Sequence, residues 1–587
     1  MSDSCSKRDG FKILACFTLL GAMGFAQDST KVTAPKSELL PLNSTYGVFT
    51  PPKGKGALKF SFNWPEPSFE FASYLFGFKV QTFENAYAID PALSRIERSG
   101  GSLRFVCQGF TWAGGQERAQ GELTADFSRT ADGNIEWHVS AKMDQAIKSI
   151  TTIVRGVPRG QLSLAGEGYF DPGDDEVTYE YPAIGGRLST PLIVIKTSDG
   201  DFFGLSALED EVRPARFFLQ PGPHGYRVEM IYEQAGWDKQ SYVKSCVWRI
   251  GRAKTYETIA KEHFEHVAKA YGIPNVADRK DIPDWMRQVK LVVSLHGEDW
   301  TGYINNDYAK QLEILRWTAT KIDPKYVLVF LPAWDGRYYW NYPLYEPDVR
   351  MGGGKGFSEL IDEGHKLGFH FSAMFGANVA NSYLDVYKKL SSATTMSIDN
   401  EIHEFNVVDF DNDRQLDGWL SLMNIALPTW RRFLEERISH VIDTYRIDSY
   451  FLDIAGAWEN NTQGDMLEGT RMLVSELATR YPGVLPIGEF FYDALMGVIP
   501  VYHVPLYPLY ANGADKYVIY FDHLSHPAPG RGSTGVHEYG FSNYVPVTND
   551  QRAIPTITFA DDTFEKYRDL VEQDIAMAKL RSQSHKQ

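Results

Sequence analysis

The chain is poor in cysteine, and it lacks a basic block of any length. Four cysteines occur in its 587 residues. Two of them fall within the N-terminal segment, which leaves Cys107 and Cys246 either as one disulfide or as two buried thiols. The formal net charge is −16, and an acidic chain without a basic patch is a poor candidate for binding nucleic acid.

Motifs for several other kinds of chemistry are missing. There is no HExxH motif and no cluster of histidine and cysteine ligands, so no zinc site is predicted. The absence of a GxSxG motif argues against a serine hydrolase. The glycine run at 352–356 lacks the spacing of a phosphate-binding loop and has no Ser or Thr after Lys355. The sequence therefore implies no organic cofactor, and a structural calcium ion is the metal left open.

Residues 1–26 have the composition of a secretion signal. Lys7 and Arg8 precede an apolar run from Ile13 to Ala26, which ends in small residues suited to cleavage before Gln27. The run is shorter than the roughly 20 residues that a membrane-spanning helix needs. We expect this signal peptide to direct export to the periplasm or the extracellular space, with no integral membrane segment after cleavage.

A long region of alternating polar and apolar residues follows. Asp-Gly pairs at 132–133 and 199–200 each separate two alternating runs, which is a strong hairpin signal. Many short strands, with hardly a helical stretch among them, favour a large β-sandwich. A helix-like segment at 255–274 ends the region. We predict an N-terminal β-sandwich domain over residues 27–275.

The pattern changes in the second half of the chain. Apolar strands alternate with amphipathic helical segments, as in VKLVVSLHG before a helix near Tyr308–Thr320 and IDSYFLDIAG before LEGTRMLVSELATRY. Such alternation implies a parallel sheet, and the length suits a closed barrel better than an open sheet. We predict a (β/α)8 TIM barrel over residues 276–587, with a C-terminal helix near Thr563–Leu580. The predicted fold class is thus a β-sandwich followed by a barrel.

Acidic residues stand where the predicted barrel strands end, which is where barrel enzymes build active sites. Asp453 and Glu489 both end strongly apolar strands that we expect to be neighbours. Parallel strands lie roughly 4.8 Å apart, so the two carboxyls would approach within about 5–6 Å, as in a retaining glycosidase. Two such acids push their pKa values apart. We assign Asp453 as nucleophile, because its strand is the more buried, and Glu489 as acid/base.

A structural alternative exists for each acid at a strand end. An Asp after a strand more often caps the next helix than it catalyses. The pattern, however, predicts that the next helix begins near Asp465, well beyond Asp453. Asp448 stands at the opposite end of the same strand, and we interpret it as structural.

The loop after the second predicted strand is rich in aromatic rings. Its sequence, LPAWDGRYYWNYPLYEPDVRMGGGKGF, offers rings for a sugar face and a carboxylate for vicinal hydroxyls. The alternative is an aromatic loop that packs over the barrel mouth. Together with residues after the first strand and a histidine late in the chain, the predicted substrate-binding residues are Trp334, Asp335, Tyr338, Asp299, Trp300 and His523.

Two segments resemble a known group of enzymes. NIALPTWRRFLEERISHVIDTYRIDSYFLDIAG resembles the core of retaining α-glycoside hydrolases of the α-galactosidase and α-glucosidase clans, in which the final Asp of the strand is the nucleophile. PAWDGRYYWNYPLYEPD is similar to the second-strand loop of endo-α-N-acetylgalactosaminidase-like enzymes. The resemblance implies an acid/base Glu a few tens of residues after the nucleophile, and Glu489 lies 36 residues after Asp453.

The resemblance covers the barrel and the general plan of a preceding β-sandwich. It implies a carbohydrate substrate, with galactose or N-acetylgalactosamine as the favoured sugar. No C-terminal β-domain is evident, unlike in the large endo-acting members, so exo action on a terminal α-linked sugar is a reasonable alternative. The linkage and the oligomeric state are left open.

Two other classes of function also remain open. The first is a non-catalytic glycan-binding protein on a degenerate barrel, although the presence of both acids counts against it. The second is a different barrel enzyme, such as a polysaccharide lyase or a metal-dependent hydrolase. Turnover, retained configuration and resistance to chelators would separate these from a retaining glycosidase.

Overall fold

The computed structural model describes most of the chain. The described residues are 66–164, 168–182, 188–404, 408–411, 413–489, 492–504, 511–525, 553–560 and 563–580, with the short strands Leu42–Asn43, Val48–Phe49 and Phe60–Ser61. The predicted signal peptide lies outside them. Within the described residues the chain forms a β-sandwich followed by a closed barrel, which confirms the predicted fold class.

The sandwich consists, in the part of the chain described, of two nine-stranded antiparallel sheets. In hydrogen-bonded order, the first sheet contains Glu117–Ala119, Phe110–Trp112, Ala86–Ile89, Tyr74–Thr82, Ile147–Val157, Gly225–Glu233, Ala215–Gly222 and Val177–Tyr181, with Phe69–Phe71 beside Tyr74–Thr82. The second contains Gly160–Leu164, Leu192–Thr197, Phe202–Leu208, Val247–Ala253, Ile135–Met143, Gly121–Arg129, Ser102–Cys107 and Ser94–Ser99, with Tyr242–Lys244 beside Ile135–Met143. Their inner faces pack together, as alternation along each strand requires.

Both hairpins predicted from Asp-Gly pairs are present. Gly121–Arg129 and Ile135–Met143 pair so that Arg129 lies opposite Ile135 across the first turn. Leu192–Thr197 and Phe202–Leu208 pair in the same way across the second turn.

Aromatic side chains fill the space between the two sheets. Phe69 and Phe76 of the first sheet contact Phe105, Phe127 and Trp137 of the second; we call these five residues the sandwich cluster. The ring centroids lie 5.1 Å apart for Phe69 and Phe105 and 4.8 Å apart for Phe76 and Phe127. All five side chains are buried, and full burial of each stabilises the fold by about 1.5–3 kcal/mol.

Cys107 and Cys246 lie in the sandwich as free, buried thiols. The thiol of Cys107 donates to the carbonyl oxygen of Gly109 at 2.8 Å. Burial raises the pKa of both thiols, so they pack as small apolar residues and are poor nucleophiles. Of the two alternatives that the sequence left open, the structure has the pair of thiols.

Helix α1, Tyr256–Ala270, follows the last strand of the sandwich. Thr255 caps its N-terminus by accepting a hydrogen bond from the backbone three residues further on. The buried face of the helix, which includes His263 and Phe264, packs on the strand Phe202–Leu208. The helix is thereby fixed to the sandwich.

The barrel is formed, among the described residues, by eight parallel strands that are hydrogen-bonded in chain order into a closed ring. The strands are β1 (Leu291–Leu295), β2 (Val327–Leu331), β3 (His370–Gly376), β4 (Ser449–Asp453), β5 (Leu485–Glu489), β6 (Val501–Val504), β7 (Ile519–Ser525) and β8 (Ala553–Phe559). The longer helices around them are α2 (Tyr308–Ala319), α3 (Gly353–Leu367), α4 (Pro428–Tyr445), α5 (Met466–Arg480) and α6 (Arg568–Leu580). No helix in the described part of the chain combines the length and the apolar character needed to cross a membrane.

Aromatic rings also fill the interior of the barrel. Phe330 and Phe451 have ring centroids 4.5 Å apart, and His503 and Phe521 have ring centroids 4.8 Å apart. Side chains two residues apart on a strand point to the same face. Asp453, two residues after Phe451, therefore points into the mouth of the barrel.

Candidate active site

Asp453 and Glu489 are the last residues of β4 and β5. The two strands are hydrogen-bonded neighbours in parallel register, with Leu452 opposite Gly488. This register puts the next residue of each strand, the two acids, side by side at the carboxyl end of the barrel. Both side chains are buried, with 0% of Asp453 and 4% of Glu489 exposed. Their carboxyl groups lie within hydrogen-bonding distance of each other.

The turn after β4 orients Glu489. The backbone N–H of Ile454 donates to Oε2 of Glu489 at 2.8 Å, and the N–H of Gly456 donates to the Glu489 carbonyl oxygen at 3.0 Å. Ile454 has a φ of +50°, a left-handed conformation that costs a β-branched residue about 1–3 kcal/mol. Asn378 braces the turn, because its amide donates to the carbonyl oxygens of Ile454 and Ala457.

The electrostatics of the pair follow from its burial. Burial raises the pKa of Asp453 well above the usual carboxyl range, and the nearby charge of Glu489 raises it further. Burial also raises the pKa of Glu489, while hydrogen bonds from Asp453 and from the N–H of Ile454 offset part of that rise. Two ionised carboxylates in contact repel each other strongly in a poorly solvated place, so the pair shares a proton. An acid and a base are thus available at one point.

Tyrosines from the loop after β2 surround Asp453. The hydroxyls of Tyr338 and Tyr342 both donate to its Oδ2 over 3.4 Å. Tyr339 packs against both rings, with centroids 4.1 Å and 5.3 Å away. Burial, with the charge of Asp453 in addition, raises the pKa of each phenol, so the hydroxyls keep their protons. We call Tyr338, Tyr339 and Tyr342 the tyrosine cluster; its donors favour the ionised form of Asp453.

The cap interpretation does not apply to Asp453. Helix α5, which follows β4, is capped by Asp465. Asp448 precedes β4 at the opposite end of the barrel. Burial alone would raise its pKa, but hydrogen bonds from His365 and His370 bring the pKa down to about 2, so Asp448 is a hydrogen-bonded, structural residue.

Trp334 is a core residue. Its indole N–H donates to the carbonyl oxygen of Met374 at 2.8 Å. Its ring stacks on Phe357 of α3, with centroids 4.9 Å apart, and 0% of the residue is exposed. The prediction that Trp334 offers a platform to a sugar is therefore wrong for this structure, because the ring has no accessible face.

Asp335 is buried as well, and burial raises its pKa to about 8. Its carboxyl receives a backbone hydrogen bond from Tyr345, and its Oδ2 has no partner among the described residues. The charges of Asp453 and Asp335 both raise the pKa of Tyr342. The predicted contact of Asp335 with sugar hydroxyls stays a prediction. The same holds for His523 of β7, whose side chain lies outside the described residues.

Asp299 and Trp300 belong to the loop after β1, and both are buried. Oδ1 of Asp299 accepts hydrogen bonds from the backbone N–H groups of Thr301 and Tyr303. The carbonyl oxygen of Trp300 accepts a hydrogen bond from Nε of Arg337. The structure thus gives Asp299 a turn-forming role, while the predicted sugar-binding roles of Asp299 and of the Trp300 ring stay predictions.

Tyr342 and Asn378 contact the candidate site and were not identified from the sequence. Tyr342 stands four residues after Tyr338 in the same aromatic loop, but the path of the loop decides which rings turn inward. Asn378 stands two residues beyond the end of β3. Because functional side chains of barrels gather at strand ends, that position is a signal by which Asn378 could have been found.

An acidic group on the loop before α4 could hold a cation. Asp409, Asp411 and Asp413 have carboxylate oxygens within 4.8 Å of one another, and alternating aspartates are ligands that Ca²⁺ prefers. These oxygens also accept backbone N–H groups of Asp413 and Arg414. The alternation of aspartates at 409, 411 and 413 is a signal for such a site that the sequence itself carries.

Comparison with known proteins gives a likeness of fold. No protein-family model matches the chain, and no curated protein matches it in sequence. The ligand-free α-N-acetylgalactosaminidase NagBb from Bifidobacterium bifidum matches with a TM-score of 0.63 and 14% identity, covering 88% of this chain and 93% of that chain. Its complex with GalNAc gives a TM-score of 0.59 at 14% identity, covering 77% of this chain and 84% of that one. The chain therefore shares the architecture of NagBb over most of its length.

Proposed function

We propose that this protein is a retaining α-glycosidase that hydrolyses terminal α-linked galactose or N-acetylgalactosamine. The observation that supports it best is the contact between the carboxyls of Asp453 and Glu489 at the carboxyl ends of adjacent barrel strands. Barrel enzymes place their chemistry at this end, and a nearby carboxyl pair is what glycoside hydrolysis needs.

In the proposed reaction, Asp453 is the nucleophile. It attacks the anomeric carbon, the bond to the leaving oxygen breaks, and a covalent glycosyl-enzyme forms. The hydroxyls of Tyr338 and Tyr342 hold one carboxylate oxygen of Asp453 and favour the ionised form that attacks. Glu489 gives its proton to the leaving oxygen, then takes a proton from the water that releases the sugar.

The closeness of the pair supports retention over inversion. An inverting enzyme separates its carboxyls by about 6.5–9.5 Å to admit a water, whereas a retaining enzyme separates them by about 5–5.5 Å. Asp453 and Glu489 end adjacent strands and interact directly through their side chains, which fits the shorter of the two separations. In the proposed reaction the proton of the pair resides on Glu489 when the sugar is bound, because the hydroxyls of Tyr338 and Tyr342 favour the ionised form of Asp453.

The choice of sugar and the place of action rest on less direct support. Galactose and N-acetylgalactosamine are proposed because NagBb, which has a similar fold, is an α-N-acetylgalactosaminidase. Export to the periplasm or the extracellular space is proposed from the signal-like N-terminal sequence. The proposed reaction uses only side chains of this protein and water.

The test uses nitrophenyl α-glycosides of several sugars, with proton NMR to identify the first anomer released. We expect α-galactoside or α-N-acetylgalactosaminide to be cleaved with the α-anomer appearing first. Asp453→Ala should abolish turnover and retain sugar binding. Azide should restore cleavage of the activated substrate and give a β-glycosyl azide, because a small anion can occupy the place of the missing carboxylate.

Each rival has its own outcome in the same experiment. Binding of glycans without turnover by the unmodified protein would identify a glycan-binding protein. An unsaturated product would identify a lyase, and loss of activity on adding a chelator would identify a metal-dependent hydrolase. First release of the β-anomer would show inversion and overturn the assigned role of Asp453.

A further inference from the structure

Among the described residues, buried polar contacts join the sandwich to the loops that follow both acid-bearing strands. The β4 loop comprises residues 454–461, directly after Asp453. The β5 loop comprises residues 492–497, shortly after Glu489. Each loop contributes one buried polar side chain that is bonded to the sandwich.

Asn460 anchors the β4 loop. Its amide donates to Oε1 of Glu233 at 2.6 Å and to the carbonyl oxygen of Gln234 at 2.8 Å. Its Oδ1 accepts the backbone N–H of Gly236 at 2.7 Å. A Cβ at Gly236 would lie 2.5 Å from the carbonyl oxygen of Asn461, so the two backbones approach too closely for any residue except glycine. The amide of Asn460 is thus held by three bonds to one strand end of the sandwich.

Asp493 anchors the β5 loop. Its Oδ1 accepts a hydrogen bond from the hydroxyl of Tyr181, and its Oδ2 accepts one from the hydroxyl of Thr190 at 2.6 Å. The backbone N–H of Asp493 donates to the carbonyl oxygen of Ser189 at 2.8 Å. Tyr181, Thr190 and Asp493 are all at least 98% buried. Separating the two partners of such a buried hydrogen bond would leave a buried polar group unsatisfied. Because this costs free energy, the contact resists displacement.

The anchor at Asp493 continues into helix α1. The hydroxyl proton of Thr190 goes to Asp493, so Nε2 of His263 donates to the Thr190 oxygen, 2.5 Å away. Nδ1 of His263 then accepts from the hydroxyl of Ser206 at 2.7 Å. Burial lowers the pKa of His263 to about 3, so the ring is neutral and this order of donors holds at physiological pH.

Other ionisable groups face Asp493 from the sandwich and from α1. Glu209 and Tyr271 are close enough to interact with it electrostatically. Burial raises the pKa of Asp493 to about 6, although the hydrogen bonds from Thr190 and Tyr181 hold it down. At neutral pH the carboxylate is therefore ionised and accepts both hydroxyls.

We infer that the β-sandwich sets the separation of the two carboxyls of the candidate active site, with Asn460 and Asp493 as its positioning residues. This inference rests on the proposed function for its effect on catalysis, but the anchoring itself does not. Asp493 is four residues from Glu489, and Asn460 is seven from Asp453. A shift at either anchor is passed along this short length of chain to the carboxyl. Misplacement by about 1 Å suffices to slow a reaction greatly.

The test compares full-length Asn460→Ala, Asp493→Asn and the milder Tyr181→Phe with the unmodified protein. Hydrogen exchange followed by mass spectrometry should show faster exchange in peptides covering 449–460 and 485–497, and little change elsewhere. On the best substrate, kcat should fall about tenfold with KM nearly constant. The alkaline limb of the pH profile, which reports Glu489, should shift.

Lys148→Ala is the matched control, because Lys148 also joins the sandwich to the barrel, through an ion pair with the exposed Asp399 at 3.0 Å. It should alter neither kcat nor exchange at the two peptides. In the double variant of Asn460 and Asp493, the fold-loss of kcat should be smaller than the product of the two single fold-losses. The reason is that both substitutions alter the same distance, the one between the carboxyls of Asp453 and Glu489.

Three results would overturn the inference. The first is an unchanged rate of hydrogen exchange in both peptides. This result would overturn the anchoring role even if the protein has no glycosidase activity. The second is faster exchange spread evenly over the chain, which would make the anchors general stabilising contacts. The third is unchanged kcat in an active enzyme whose two peptides do exchange faster. Tyr181→Phe keeps the test decisive if either larger substitution prevents folding.

Discussion

The sandwich cluster and the tyrosine cluster show what one hydroxyl group does to an aromatic core. In the sandwich, Phe76 and Phe127 pack ring against ring, with centroids 4.8 Å apart. At the barrel mouth, Tyr338 and Tyr339 pack at 4.1 Å, but the hydroxyl of Tyr338 reaches the buried carboxyl of Asp453. Apolar rings stabilise by the area they bury, whereas phenols also bring donors into a poorly solvated place.

The comparison indicates that the apolar interior of the sandwich serves stability, whereas the polar groups at the barrel mouth serve the proposed chemistry. Removing a ring in the sandwich should lower the free energy of unfolding and spare the reaction. Removing a carboxyl or a hydroxyl at the barrel mouth should slow the reaction and spare the fold. Changes in the two regions can test this division separately.

The largest effect is expected for Glu489→Gln. Loss of the proton donor should lower kcat/KM by about 10²–10⁴-fold for alkyl α-glycosides, whose leaving groups need protonation, and much less for nitrophenyl α-glycosides. The melting temperature should not fall, since glutamine still offers an acceptor to the N–H of Ile454. Steady-state kinetics and thermal melts measure both, and an equal loss for the two leaving groups would contradict the role of Glu489 as acid.

The next effect is on the sandwich. Phe127→Ala should lower the free energy of unfolding by about 3–5 kcal/mol, because it leaves a cavity between the sheets. The kcat of the molecules that remain folded should be unchanged. Chemical denaturation combined with active-site titration measures the two quantities. A large fall in kcat at nearly constant stability would contradict the claim that the sandwich rings affect stability and not the reaction.

A smaller effect is expected for Tyr342→Phe. Removing one hydroxyl donor from the carboxylate of Asp453 should lower kcat about tenfold, because a hydrogen bond to a charged group contributes about 1.5–3 kcal/mol. Stability should change by less than about 1 kcal/mol, since the ring stays. Tyr345→Phe is the control, as its hydroxyl bonds to the backbone of Gly376, and it should keep most of the activity.

The smallest effect concerns pH and Asp335. The pKa of Asp335 is about 8 in the folded protein and about 4 in the unfolded chain. Between these values the folded state holds a proton that the unfolded state loses, so this group's contribution to stability is full below about pH 4 and is lost as pH rises to about 8. Asp335→Asn should therefore gain stability relative to the unmodified protein as the pH rises. Denaturation at pH 5 and pH 9 measures this, and parallel curves for the two proteins would exclude it.

Sequence patterns predicted the parts of the site that depend on strands. Asp453 and Glu489 each end an apolar run, and neighbouring parallel strands bring such ends together whatever the loops do. The sequence pattern gave the wrong prediction for Trp334, because the sequence around a tryptophan after a strand is the same whether its ring points toward the barrel mouth or toward the helices. The backbone decides this: Ala333 has a φ of +52°, and the ring then packs on Phe357.

The loops show the same limit. Asp299 was a reasonable candidate because it is acidic and follows β1, yet its carboxylate is engaged by the backbone of its own turn. Asn378 follows β3 and donates to the turn at Ile454, but asparagine is common in loops, so its place after a strand does not by itself single it out. Residue type and position along the chain do not specify a loop conformation.

The sequence by itself determined the two architectures, their order and the acids at the strand ends, because hydrophobic periodicity is a local property. Only the tertiary structure decided that Asp453 and Glu489 are buried side by side, that tyrosine hydroxyls reach Asp453, and that the sandwich anchors the β5 loop. The physical reason is that these contacts join groups far apart along the chain, as Tyr181 and Asp493 do across 312 positions. Burial then sets their energies, and burial exists only once the chain has folded.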